Sequence, residues 1–410
     1  MTARTKLPRT LILAFGLTVA SGGTRGATEA FDSAIVAKGA GLAAIGNCAS
    51  CHTAEGGRAF AGGRALETPF GTIYSTNITP DPGTGIGRWS EADFRRAMHE
   101  GVAPGGRELY PAFPYDHFTR VSDDDVRALY AYLMTREPVR ASAPRNALRF
   151  PMNLRSLIPA WKLAFFSPGR YRPDPSRDAE WNRGAYLAEG LAHCGACHTP
   201  RNALGAERTD RELAGGEAEG WHASALDADS PAPKRWTADA LFAYLRTGRE
   251  MQHGIATGPM ADVTHNLADA PQGDVHAIAV YIASRMPEPP AQPPREGRAA
   301  STEGASIFAG ACAGCHGTVP PTFSGASIAL SVTTSLNAPD PRDLTHIIME
   351  GLKPQPGEKG EWMPAFAAEL TDAQIVALVD YLRAQYTGRS AWQGVEANVA
   401  TIRRSLEDEP

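Results

Sequence analysis

Three stretches of the chain repeat one pattern of apolar and polar positions. An amphipathic segment with apolar residues three to four apart closes on a glycine: Phe94-Arg-Arg-Ala-Met-His-Glu-Gly101, Leu241-Phe-Ala-Tyr-Leu-Arg-Thr-Gly248 and Leu344-Thr-His-Ile-Ile-Met-Glu-Gly351. A loop follows, then a second segment of helical period containing Val126-Arg-Ala-Leu-Tyr-Ala-Tyr132, Val275-His-Ala-Ile-Ala-Val-Tyr281 or Ile375-Val-Ala-Leu-Val-Asp-Tyr381. The period predicts helices, and a glycine just past the last apolar turn supplies the left-handed residue on which helices end. Ser122 with Asp125, and Thr371 with Gln374, stand at capping-box spacing before the last helix of two repeats. Each repeat therefore reads as a small helical bundle, and the fold class is all-α.

Outside the repeats, Arg4, Lys6 and Arg9 precede a ten-residue apolar run from Leu11 to Ala20 and a cluster of small residues. This is the pattern of a secretory signal peptide, residues 1–27, too short to span a bilayer, which needs about 20 apolar residues. Its removal takes away four basic residues and no acidic one. The units that remain run from 28 to 140, 179 to 286 and 304 to 390. Residues 141–178 connect the first two and hold the apolar stretch Leu157-Ile-Pro-Ala-Trp161-Lys-Leu-Ala-Phe165-Phe166, expected to pack on neighbouring units, with a membrane or a partner subunit as alternatives. Pro287-Glu-Pro-Pro-Ala-Gln-Pro-Pro294 marks an extended linker over 287–303, and 391–410 reads as a charged C-terminal tail.

Composition narrows the function. The 410 residues carry 40 Lys and Arg against 45 Asp and Glu, a net charge of −5, so the basic footprint of a nucleic-acid partner is missing. All six cysteines fall in one motif written three times: Cys48-Ala-Ser-Cys51-His52, Cys194-Gly-Ala-Cys197-His198 and Cys312-Ala-Gly-Cys315-His316. Two thiols three positions apart can each form a thioether to one haem vinyl group, and the next His sits under the iron. Disulfides leave the His after every pair unexplained. Zinc would want two such pairs close in sequence. The cofactor expectation is three covalently bound haem c groups, attached through the six cysteines with His52, His198 and His316 as proximal ligands. Gly39-Ala-Gly41-Leu-Ala-Ala44 has no preceding strand to make it a dinucleotide fingerprint, and Asn77-Ile-Thr79 is a formal glycosylation triplet.

With its haem motif, each unit resembles the class I cytochrome c fold, so the architecture is three tandem domains of that class. In that fold a sulfur from the loop before the last helix completes the iron's coordination. The resemblance makes Met260 and Met363, each 12 residues past the glycine of its repeat, the sixth ligands of the second and third haems. The same count from Gly101 lands on Phe113, which cannot bind iron. Haem 1 is then five-coordinate or takes another ligand from Met98, His99, His117 and Met134. Met98 aligns with core positions, and His99 falls on a helix face expected to be exposed. Met134 ends the last helix. His117, four residues past Phe113 in the same loop, is the preferred candidate.

The string Thr68-Pro-Phe-Gly-Thr-Ile-Tyr-Ser-Thr-Asn-Ile-Thr-Pro-Asp-Pro-Gly-Thr-Gly-Ile-Gly87, with Trp181-Asn-Arg-Gly-Ala-Tyr-Leu-Ala-Glu-Gly-Leu-Ala-His-Cys-Gly-Ala-Cys-His-Thr-Pro-Arg201, resembles the triheme cytochrome c subunits of bacterial periplasmic dehydrogenases. The resemblance implies a non-catalytic electron-transfer subunit in the periplasm, associated with the cytoplasmic membrane. Its partners would be a catalytic dehydrogenase subunit carrying molybdopterin, PQQ or FAD, and ubiquinone or a terminal oxidase as acceptor. Tyr110-Pro-Ala-Phe113-Pro-Tyr-Asp-His-Phe118 is similar to the branch that serves molybdopterin hydroxylases acting on aldehydes or N-heterocycles. Alcohol and gluconate dehydrogenase cytochromes are the alternative, and a peroxidase-like haem enzyme with an open haem 1 is a third reading.

Overall fold

The computed structural model describes residues 31–289, 301–317, 328–352 and 362–408. The expected signal peptide and most of the proline-rich linker lie outside them. In the first unit α1 (Ser33–Ile45) leads into α2 (Cys48–His52), followed by α3 (Glu91–Glu100), α4 (Tyr115–Phe118) and α5 (Asp123–Met134). α6 (Ile158–Phe165) belongs to the connecting segment. The second unit holds α7 (Ala179–Tyr186), α8 (Gly195–His198), α9 (Ala238–Thr247), α10 (Pro259–Ala268) and α11 (Gln272–Arg285). The third holds α12 (Thr302–Ile307), α13 (Ala313–His316), α14 (Thr334–Asn337), α15 (Arg342–Glu350), α16 (Asp372–Tyr386) and α17 (Val395–Asp408).

In every unit the helix before the cysteine motif packs on the helix that ends the repeat: α1 on α5, α7 on α11 and α12 on α16. All three pairs cross at a glycine. A Cβ placed on Gly39 would lie 2.0 Å from the carbonyl oxygen of Ala128, one on Gly184 1.9 Å from that of Ala277, and one on Gly304 2.1 Å from that of Ala377. Beside each crossing stands the Cβ of the tyrosine four residues further on, Tyr132, Tyr281 or Tyr381. Only the absence of a side chain lets these backbones approach so closely. The expected terminators are in place: Gly101, Gly248 and Gly351 have φ of 63°, 72° and 71°. The Ser122 side chain accepts from the Asp125 amide, and Thr371 with Gln374 forms a full capping box.

The core is divided unevenly. Residues of the first two units, among them Leu42, Leu129, Leu191 and Ile278, join in one apolar cluster, while the third unit has its own, built on Leu336, Ile348, Ile375 and Leu378. Asn77 fixes the wrap of the first unit. Its side-chain oxygen accepts from the Thr79 amide and hydroxyl, and its NH₂ donates to the Val139 carbonyl at 2.7 Å. It is 4% exposed, so the formal glycosylation triplet is an internal tie.

Three expectations are corrected. The fold is not purely helical: Ala65–Thr68, Gly71–Tyr74 and Ala147–Leu148 form a three-stranded antiparallel sheet, and three short hairpins accompany it. Gly71, at φ 114°, gives the third strand its close approach. Residues 391–410 are not a loose charged tail, because α17 buries Val395, Val399 and Ile402 in the third core and Trp392 donates to the Ala338 carbonyl at 3.0 Å. Those apolar positions recur at helical spacing, beneath the charges that dominate the composition of the segment. His99 is not exposed but 4% accessible, with both ring nitrogens hydrogen-bonded.

Candidate haem-binding sites

Each cysteine motif is wound into a helical turn, and of the six cysteines only Cys315 is exposed. In the first unit Asn47, in the left-handed conformation at φ 50°, starts α2. In the second and third units a wide helical turn of π type, Leu187–Leu191 and Phe308–Cys312, delivers the chain to the motif; such turns often mark functional sites.

Two of the three motif histidines are held in the tautomer an iron ligand needs. His52 Nδ1 lies 2.6 Å from the Thr76 carbonyl and His198 Nδ1 2.6 Å from the Ser224 carbonyl. A carbonyl only accepts, so Nδ1 carries the proton in both rings and Nε2 keeps its lone pair for a metal. Among the described residues His316 Nδ1 is buried with no hydrogen-bond partner. Burial pushes the pKa of all three below the usual histidine value, favouring the neutral ring.

The thiols point the same way. All six are free of disulfides. Burial raises Cys48 to about 12, Cys194 to about 12 and Cys197 to about 11, and lifts Cys51 and Cys312 as well. A zinc site needs thiolates, which this environment resists. A thioether sulfur is neutral, and burial costs it little.

The second and third motifs face one cavity of about 1430 Å³, larger than the roughly 300–1,000 Å³ of an ordinary small-molecule pocket. It brings together Cys194, Cys197, His198 and Met260 from the second unit with Cys312, Cys315, His316 and Met363 from the third. Cys51 of the first motif reaches its wall. Trp221 stands in the same wall and stacks on His346 of the third unit at 4.4 Å between ring centroids. Volume and donor set together fit haem, which the residues of the second and third motifs would hold.

His117 is not placed as a ligand of haem 1. Its Nδ1 lies 2.8 Å from the Glu189 carbonyl and its Nε2 2.9 Å from Glu207 Oε1, both in the second unit. A Cβ on Gly195 would come within 2.9 Å of its ring, so it packs behind the second motif and not over the first. Burial works against protonation here, but the hydrogen bond and charge of Glu207 outweigh it and raise the pKa. Both ring nitrogens are thus engaged with oxygen acceptors, and neither is left for iron. Of the other candidates, Met98 is core and His99 is fully engaged, while Met134 packs against the shared core. Phe113 packs its ring on Phe118 at 5.2 Å.

Sequence reasoning missed Arg64. Its guanidinium donates to the Ser50 carbonyl inside the first motif at 3.0 Å, to Asp262 at 3.2 Å and to Glu219 at 2.8 Å. One side chain thus ties the first motif to the second unit through partners more than 150 residues away, and no local signal announces it.

Glycine-crossed helix pairs around helical Cys-x-x-Cys-His turns define a c-type cytochrome. Residues 36–137 match the cytochrome c family model, and residues 299–382 match that of cytochrome c oxidase, cbb3-type, subunit III. The chain is 46% identical over 382 residues to a nicotinate dehydrogenase subunit of Pseudomonas putida, covering 91% of this chain but only 32% of that protein. It is 38% identical to the gluconate 2-dehydrogenase cytochrome c subunit of Pantoea cypripedii, over 92% of this chain and 91% of the relative. With the fructose dehydrogenase cytochrome subunit of Gluconobacter japonicus the identity is 35%, over 88% and 81%. The chain belongs to the family of cytochrome c electron-transfer subunits of dehydrogenases.

Proposed function

We propose that the chain carries three covalent haem c groups in three tandem cytochrome c domains and conducts electrons from a periplasmic molybdopterin hydroxylase toward ubiquinone or a terminal oxidase at the cytoplasmic membrane. The observation that carries this reading is the single cavity in which two motifs and two methionines meet. When bound, haem supplies reversible one-electron exchange at its iron. The chain's own residues do the rest. Cys48, Cys51, Cys194, Cys197, Cys312 and Cys315 anchor, His52, His198 and His316 offer Nε2, and Met260 and Met363 offer a thioether. The third repeat of the glycine crossing supports three domains, and the likeness to the nicotinate dehydrogenase chain supports the molybdopterin partner.

A flavin-dependent partner is the second reading, favoured by the near-complete coverage of the gluconate and fructose dehydrogenase subunits. Metal and flavin analysis of the catalytic subunit that copurifies with the tagged chain separates the two: molybdenum without flavin as the substrate-site cofactor supports the first, and flavin without molybdenum rejects it. Pyridine haemochrome analysis should give three haems per chain, and two for Cys194→Ala with Cys197→Ala. Three in that variant would remove the second motif from the assignment.

A further inference from the structure

The connecting segment carries an exposed apolar surface outside the haem-binding cavity. The exposed residues of α6 are Pro159, Ala160, Leu163, Ala164 and Phe165, every one apolar, and Leu163 is 91% accessible. The only charge on the helix is turned inward: Lys162 Nζ donates to the carbonyls of Glu100 and Gly101 and to the Glu108 carboxylate, beneath the Tyr115 ring. Trp161 donates to the Leu204 carbonyl at 3.0 Å, holding that loop against the helix. Of the seven large hydrophobic side chains exposed among the described residues, Phe150, Leu154, Leu157, Leu163, Phe165 and Leu204 are here. A helix facing water normally shows the reverse pattern, polar outside and apolar inside.

Charge completes the picture. From Arg145 to Arg172 the sequence holds six basic residues and no acidic one, in a chain whose net charge is −5. Arg145, Arg149 and Arg172, before and after α6 in the sequence, are exposed. We propose that α6 and its flanks dock on the anionic phospholipid surface of a bilayer, with Leu163 and its neighbours entering the acyl boundary and the arginines at the level of the phosphates. That layering is the composition of an interfacial helix. At eight residues α6 is about 12 Å long, far short of a span, so it lies in the interface. The inference stands apart from which dehydrogenase supplies electrons.

The test is flotation of the full-length holoprotein with vesicles containing phosphatidylglycerol or with pure phosphatidylcholine vesicles. The wild type should float with the anionic vesicles, release as salt is raised, and stay behind with the neutral ones. Leu163→Asp should weaken partition about tenfold, and Arg145→Glu with Arg149→Glu and Arg172→Glu should abolish the preference for anionic lipid. All of these variants should keep the wild-type haem content and reduced spectrum, which report folding and haem attachment separately from lipid binding. A wild type that ignores anionic vesicles, or variants that bind as it does, overturns the proposal. A Leu163→Asp protein that floats normally but no longer copurifies with the dehydrogenase rejects the lipid and makes the strip a protein-docking face.

Discussion

Nε2 of His117, in the first unit, lies 2.9 Å from Oε1 of Glu207, in the second, and the two side chains are only 12% and 15% exposed. The pair is a clasp between units. His117→Ala should therefore leave the carbon monoxide response of the reduced protein unchanged, since it vacates no iron. It should instead lower stability by about 2 kcal/mol, because Glu207 loses a buried partner and keeps Arg201 at 3.6 Å. Reduced-minus-CO difference spectra and urea unfolding measure the two effects. A new CO-binding band in the variant would return His117 to haem 1.

The glycine crossing of the second unit predicts a larger loss. In Gly184→Val the added carbons meet the Ala277 carbonyl and the Tyr281 Cβ, neither of which can swing away. Overpacking of this kind costs about 3 kcal/mol or more. The expected outcome is a lowered unfolding midpoint and reduced haem incorporation, read by denaturant titration and haem stain, with Gly190→Ala, whose nearest neighbour is 3.6 Å off, as the tolerated control.

His99 makes stability depend on acid. Its Nδ1 accepts from Arg170 at 2.5 Å and its Nε2 donates to the Val121 carbonyl at 3.0 Å. The Arg170 bond needs the neutral ring, because Nδ1 must keep its lone pair to accept, and burial, aided by Arg170, pushes the pKa down from 6.5 to about 4. Between those values the unfolded chain takes up a proton that the folded one refuses. The contribution is therefore flat above the unfolded value and is lost as pH falls toward 4. The urea midpoint of the wild type should drop between neutral pH and pH 4.5, and that of His99→Gln should drop less. Equal drops would remove His99 as the source.

Met260 and Met363 should be separable by potential. A thioether ligand raises a haem's potential relative to imidazole, so Met260→His and Met363→His should each lower one midpoint in a spectroelectrochemical titration and weaken the sulfur charge-transfer band. If neither variant shifts a midpoint, the methionines are cavity lining only.

Much of this is readable in the chain, and the failures have two causes, distant partners and weak local signals. The cysteine motifs, the three glycine caps and the 12-residue offset that sends Met260 and Met363 into the cavity are all local spacings. The two histidines escape because their partners are distant. His117 is claimed by a carboxylate 90 positions away. His99 reads as exposed because it aligns with Arg246, yet Arg246 reaches inward to the Leu267 and Ala270 carbonyls, and its other counterpart, Met349, is fully buried. The last helix is hidden because its charges outweigh Val395, Val399 and Ile402 in composition while its packing depends on their spacing alone. The strand pairing of Ala65–Thr68 with Gly71–Tyr74 escapes because such short strands leave too few residues for an alternation to register.

The three helix crossings are made of backbone, alanine and the root of a tyrosine, and none of those atoms comes from the segment that presents Met260, at the start of α10, or Met363. Frame and redox setting are thus independently editable. A lineage, or an engineer, can rewrite the ligand segment of one repeat and leave its skeleton standing. Phe113 on an intact Gly39 crossing shows the separation: the position that carries Met in the other two repeats differs while the crossing keeps its glycine.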